Sequence, residues 1–237
     1  YVLPKYLKMN KNILIIGKDS QLGNQIHKLH SLKKDIVYSS VKSLNAIKKN
    51  DNVFVLNLTN PNPNIFKKFI KIKFDIVYFF SAKTPRAVKD NIEKKSYFGN
   101  LSELEFSKYL ITNCFGPLKI FEYLMNYKLI KNNSKVIFIS SLAGSIDARG
   151  KMKHNIRGGN IIYRISKSAL NCAVKNLSYD YNKTKLAIVA LHPGWVKTNK
   201  TGNKADLSIE YSIKKIFNTV RKLSHEDSGK FIDLDGK

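Results

Sequence analysis

A chain of 237 residues, 43% hydrophobic and 25% charged, is long enough to bury a sizeable core and has the composition of a globular protein, which excludes a disordered or fibrous chain. No apolar run approaches the roughly 18 residues a membrane-spanning helix needs, so membrane insertion is not expected. The net charge of +25 is extreme, yet Lys, Asn and Ile are abundant from end to end, with no basic run of five and no RNA-binding signature; it reads as compositional bias, not as a nucleic-acid face, though it still favours anionic ligands.

Residues 1–8 are too short for a signal peptide and read as an optional tail, with Met9 as a natural start and one domain over 9–237. The apolar run at 12–16 ends in Gly17 and leads into a helical pattern carried by Leu22, Ile26 and Leu29: strand, glycine turn, helix. Further strands are expected at 35–39, 53–57 and 74–80, the last very apolar, as strands buried on both faces are. A long helix is expected over 102–128, with Asn113 in its middle and Gly116-Pro117 just beyond. A strand at 135–140, a polar loop to Asn160, a helix over 161–181 and a strand at 185–191 follow. His192-Pro193-Gly194 closes that strand; after a loop at 199–207, Ser208 caps a helix to about 223, and 230–234 is a last strand. Alternating strands and helices without repeats or a linker give an α/β fold: a single-domain, Rossmann-type, doubly wound parallel sheet flanked by helices, with ligands at the carboxyl ends of strands. Cys114 and Cys172 lie in helical patterns, as reduced thiols of a cytoplasmic protein would, and no Cys/His cluster has zinc spacing, so no metal is invoked.

Gly17 to Gly23 stands where a dinucleotide fold places its phosphate loop. Gly17 permits the tight turn and Gly23 the close packing of helix on strand, while the middle glycine is replaced: Ser20 and Gln21 either donate to phosphate or crowd it. The second strand ends Tyr38-Ser39-Ser40-Val41-Lys42 without the carboxylate that grips a ribose diol, and Lys18 lies in the loop. Hydroxyls with lysines favour NADP(H) over NAD(H). Tyr163 and Lys167 are four apart and so share one helix face. A phenol of ordinary pKa about 10 beside an ammonium is expected to titrate lower, within reach of proton exchange, with Ser141 holding a carbonyl oxygen beside it.

Asn113, Ser141, Tyr163 and Lys167, in that order and on those elements, together with Pro193-Gly-Trp-Val-Lys-Thr198, resemble the short-chain dehydrogenase/reductase family over nearly the whole chain. The stretches 191–198 and 226–236 are similar, more narrowly, to C-factor-like carbonyl reductases. The resemblance implies a reductase of aldehydes or ketones, with Tyr163 as proton donor, Lys167 lowering the phenol's pKa and binding ribose, and Ser141 on the substrate oxygen. Asn113 would break its helix locally and hold a water joining Lys167 to solvent. It further implies a cofactor face of Gly17, Lys18, Ser20, Gln21, Leu22, Gly23, Ser39, Asn57, Leu58, Ser81, Ala82, Tyr163, Lys167, Pro193, Gly194, Val196 and Thr198, and a homodimer or homotetramer built on the helices at 102–128 and 161–181. The alternative it carries is a signalling protein that binds dinucleotide with little or no turnover. The chain departs from the family at Phe79-Phe-Ser-Ala82, where Asn-Asn-Ala-Gly is usual, and at Asn57, where aspartate meets the adenine. The segment between Ser141 and Tyr163 carries Arg149, Lys151, Lys153 and Arg157. Its plainer reading is a solvated basic loop, and its functional one is recognition of a carboxylate or phosphate on a small carbonyl substrate.

Overall fold

The computed structural model describes residues 10–43, 52–84, 98–151, 159–201 and 204–237; the tail, Met9, Lys153 and Arg157 lie outside them. Strand β1 (Asn12–Ile16) divides its side chains between two cores. Leu14 and Ile16 pack with Phe79, Phe138, Phe121 and Leu170, and Ile13 and Ile15 with Ile26, Ile76, Val189 and Ile213. A strand whose residues from Ile13 to Ile16 are all apolar and buried has no face to offer water, so helices must cover both sides.

The sheet continues with β2 (Ile36–Val41), β3 (Val53–Val55), β4 (Phe74–Phe79), β5 (Ile130–Ile139), β6 (Ala187–Leu191) and β7 (Phe231–Ile232), in the order β3-β2-β1-β4-β5-β6-β7. Every neighbouring pair is parallel. Helices α1 (Gln21–Leu32) and α5 (Ile209–Lys222) contribute to one core; α3 (Gly116–Asn126) and α4 (Ile161–Asp180) contribute to the other. The chain builds outward from β1 in one direction and from β4 in the other, so the crevice above the carboxyl ends of these two strands is the reversal point where such sheets bind ligands.

The long helix expected over 102–128 is interrupted. It begins as α2 (Glu103–Leu110), passes through a π-helical turn at Ile111–Phe115 and resumes as α3. Pro117 has no N–H with which to bond the Asn113 carbonyl, and the Gly116 N–H closes on Ile111 O, five residues back. Gly116 also lies against the loop after β3: a Cβ there would come within 2.3 Å of Leu58 O. Strand β5 starts five residues earlier than expected, because Ile130 pairs with Phe74 before a register shift brings Lys135 opposite Ile76.

Candidate active site

Helix α4 begins at Asn160, whose left-handed backbone (φ 52°) turns the chain into the helix and sets Tyr163 in the first turn. One turn on, Lys167 is 1% exposed and its Nζ donates to Ile139 O, at the end of β5, at 2.8 Å. The two serines that follow β5 diverge. Ser140 donates to Asn171 Oδ1 at 2.6 Å, whereas the Ser141 hydroxyl lies beside the Tyr163 phenol and draws its pKa down. Ser141 also caps a short helical turn at Leu142–Gly144, accepting from Ala143 N at 3.1 Å. That turn sits directly on α4: a Cβ at Gly144 would fall 2.7 Å from Lys167 backbone, and Gly144 O accepts from Ser168 Oγ at 2.9 Å. Glycine there is what lets the serine loop close onto the helix bearing the tyrosine.

Asn113, 1% exposed at the π turn, reaches the same helix through Ser166. Its Nδ2 donates to Ser166 Oγ at 2.9 Å, and Ser166 Oγ donates to Tyr163 O at 2.7 Å. The same carboxamide brackets Lys83, accepting from its N–H at 2.7 Å and donating to its carbonyl at 2.8 Å. Lys83 Nζ pairs with Glu105 at 2.7 Å and lies 5.0 Å from the centre of the Tyr109 ring, which meets Tyr163 edge-on at 6.3 Å.

Electrostatics correct one expectation. The phenol of Tyr163 is pushed up, not down: burial raises it, and the Ser141 hydrogen bond and the Arg164 charge only partly offset this. The reason is the direction of the Lys167 amine, which is turned to Ile139 O and is itself driven down to about 8 by burial. Of the two groups, the amine is the one poised near neutral pH.

At the other end of the crevice, Gly17 (φ 95°) faces Ser81 so closely that a Cβ would lie 2.2 Å from Ser81 Oγ, and one on Gly23 would lie 2.2 Å from Gly17 O. Ser20 caps α1, accepting from Gly23 N at 3.0 Å. The hydroxyls of β2 are not available as expected. Ser39 is fully buried with its Oγ 2.8 Å from His27 Nδ1, and Ser40 Oγ accepts from Gly17 N at 3.1 Å. Alternation along β2 directs Ser39 toward α1, so it holds the helix and leaves the rim cations, Lys18 and exposed Lys42, as the phosphate-binding candidates. Asn57 Oδ1 accepts from both N–H and Oγ of Thr59 in a local turn, and Leu58 is buried. Across the crevice, Pro193 O accepts from Ser212 Oγ at 2.7 Å, Gly194 (φ 79°) abuts Leu207, and Val196 bridges Leu207. The Thr198 N–H donates to Thr201 Oγ1 at 2.8 Å.

The family model for short chain dehydrogenases matches residues 91–208. An uncharacterized oxidoreductase of Saccharomyces cerevisiae is 31% identical over 216 residues, spanning 83% of this chain and 79% of the yeast protein. The chain belongs to the short-chain dehydrogenase family. The C-signal protein of Myxococcus xanthus is also 31% identical to this short-chain dehydrogenase, over 138 residues covering 58% of the chain and 80% of the relative. Among solved structures, the NADPH-bound carbonyl reductase from chicken fatty liver superposes with a TM-score of 0.77 at 21% identity, over 96% of this chain and 93% of that one, a likeness of fold.

Ser166, Lys83, Tyr109 and Asn199 were not singled out from the sequence. Only Ser166 carried a signal, its place directly before Lys167; the others become visible when β4, α2 and the loop after β6 are brought together. His192 is tied into the sheet: its N–H donates to Ile232 O at 2.8 Å, and its Nδ1 is buried without a hydrogen-bond partner. Burial pushes its imidazole down to about 4, against a smaller upward pull from Asp233. An unfolded chain takes up a proton below about pH 6.5 that the folded chain refuses until about pH 4, so this stabilisation is present above the first value and is lost as pH falls toward the second. Urea denaturation at about pH 7 and about pH 5 should show a smaller loss of stability for His192→Gln than for the wild type. Equal losses in the two proteins would assign the acid sensitivity to other groups.

Proposed function

We propose that the chain is a cytoplasmic oxidoreductase that reduces a small aldehyde or ketone to the alcohol, using NADP(H) in preference to NAD(H), with residues 9–237 as its one catalytic domain. The observation that carries this reading is the Ser141 hydroxyl beside the Tyr163 phenol, whose pKa it draws down, one helical turn from the buried Lys167 amine, at the carboxyl edge of the sheet.

The phosphate loop suits a dinucleotide. Gly17 and Gly23 present backbone where side chains would not fit, and because Ser20 satisfies Gly23 N, the N–H groups of Gln21 and Leu22 are the first-turn donors left facing outward. Ser81, Ala82, Asn57 and Leu58 would flank the adenosine, and the backbone of Pro193, Gly194 and Val196 with Thr198 would hold the carboxamide. Bound there, the reduced dinucleotide supplies a hydride to the carbonyl carbon. Ser141 would fix the substrate oxygen, Tyr163 would give that oxygen its proton, and the Lys167 amine, turned to Ile139 O, would resupply the phenol through a bridging water rather than directly. An amine near 8 can exchange protons at neutral pH while the phenol stays protonated and ready to donate. Asn113 sets the position of α4 through Ser166, and the carbonyl that Pro117 cannot bond is the acceptor for a relay water.

Lys18 and Lys42 would meet a 2′-phosphate, and the NADPH bound to the chicken reductase supports that preference. NADPH should raise the melting temperature more than NADH, and Lys18→Glu should weaken NADPH binding by about tenfold or more while barely changing NADH binding. Equal responses to the two nucleotides would remove the preference, and no response to either would remove the dinucleotide. A panel of neutral and anionic carbonyls then tests the substrate. Arg164 beside Tyr163 is held down by burial and by the nearby Arg149 charge, which supports an anionic substrate; Lys151 is 3.4 Å from Asp147. Exposed Leu104, Phe115 and Ile165 support a homodimer or homotetramer on the α2–α4 face. The likeness to C-signal supports one other reading, a regulatory dinucleotide binder, which NADPH oxidation by that panel separates from an enzyme.

A further inference from the structure

The phosphate loop and the loop after β6 are the two banks of the crevice, and each is braced within itself. On one bank Ser20 caps α1 and Gly17 is wedged against Ser81. On the other, Thr201 Oγ1 receives Thr198 N–H at 2.8 Å and donates to Val196 O at 2.5 Å, and Lys197 N donates to Leu207 O at 2.8 Å. A hydrogen bond joins the banks: Gln21 Oε1 accepts from Asn199 N–H at 2.8 Å, between residues 178 apart in sequence. Gln21 occupies a position where the family's middle glycine can fall. A glycine has no side chain to make this bond. The observed direction of the carboxamide, across the crevice to Asn199, also decides how the bulk of Gln21 is accommodated: it leaves the helix N-terminus clear.

We propose that Gln21 is a strap that retains the dinucleotide, closing the crevice above the pyrophosphate by its bond to the Asn199 backbone. This rests on the dinucleotide reading given above. Phosphate binds at the N-terminus of α1, where the outward N–H groups of Gln21 and Leu22 lie, and the second bank faces it. A nucleotide entering or leaving between the banks has to open the Gln21–Asn199 bond, and one bound beneath it leaves the bond intact. The strap therefore slows entry and exit together and has little influence on affinity.

Stopped-flow measurement of NADPH fluorescence on the whole chain tests this, comparing wild type with Gln21→Ala and Gln21→Gly. The Gln21 side chain is exposed, so neither variant should alter the melting temperature of the nucleotide-free protein by more than a degree or so. Association and release are expected to accelerate together, by about three- to tenfold, with Kd within about twofold of wild type. Unchanged rates would overturn the strap, as would a slower release and tighter Kd in Gln21→Gly, the signature of a side chain that crowds the phosphate. A wild-type chain that binds neither NADPH nor NADH would remove the dinucleotide reading and the strap with it, whereas binding with unaltered rates in both variants removes the strap alone.

Discussion

Replacing Tyr163 with Phe should lower carbonyl turnover by about 10²-fold to 10⁴-fold, the range that a positioned proton donor contributes, while NADPH affinity stays within about twofold. The ring loses only its hydroxyl. Its edge-on contact with Tyr109 remains, and so does the Ser166 bond to its main-chain carbonyl. What disappears is the proton that the proposed mechanism delivers to the substrate oxygen. Because burial raises the phenol, a preformed phenolate is disfavoured and the proposed role is that of an acid, so the pH dependence of turnover should follow a group titrating near the Lys167 value of about 8. The paired measurements are single-turnover NADPH oxidation and nucleotide titration. Full turnover in the variant would end the reductase reading, and loss of nucleotide binding would show that the hydroxyl is structural.

The elements that sequence placed most securely are those with unbroken burial. Strands β1, β4 and β6 are apolar on both faces, and no other parallel-sheet position accommodates such runs. The spacing of Tyr163 and Lys167 put them on one face of α4, where the structure also has them, and the Ser141 side chain meets the phenol while Ser140 turns away. What sequence could not show depends on which group a side chain meets. Lys167 was expected to depress the phenol because like spacing implies proximity, but a buried amine turns to the nearest carbonyl, Ile139 O. Ser39 looked available at a strand end, yet the pleat buries it against His27. The break at Asn113 was legible only through the family resemblance and Gly116-Pro117; that it takes the form of a π turn, closed by the Gly116 N–H on Ile111 O, no local pattern states. The Gln21–Asn199 bond joins residues at opposite ends of the chain, and no local pattern encodes it.

The largest effect on stability is expected where the chain departs from its family. Phe79, 2% exposed, stacks on Phe138 with ring centres 4.5 Å apart and planes within 6° of parallel. The two residues are direct partners across β4 and β5, and Phe121 of α3 meets the Phe138 ring edge-on at 6.1 Å. At a position where Asn is usual in the resembled family, this chain braces the sheet by aromatic packing. Phe79→Asn, which restores the family residue, should therefore destabilise the fold. Truncating a buried Phe costs about 3–5 kcal/mol, and burying a carboxamide in a site lined by rings adds to that unless it finds partners. With a typical slope of about 2 kcal/mol/M, the urea midpoint should fall by about 2 M. If the carboxamide instead reached backbone groups of the neighbouring strand, the loss would be below about 1 kcal/mol, and the aromatic brace would be dispensable. A double-mutant cycle of Phe79→Leu with Phe138→Leu isolates the stack. A coupling of about 0.5–1.5 kcal/mol marks the rings as acting together, and strict additivity would mean that each Phe only fills volume. The brace also bears on the site, because β4 ends at Phe79 and its next residues, Ser81 and Lys83, hold Gly17 and Asn113 in place. A sheet loosened there should lose NADPH affinity before it unfolds.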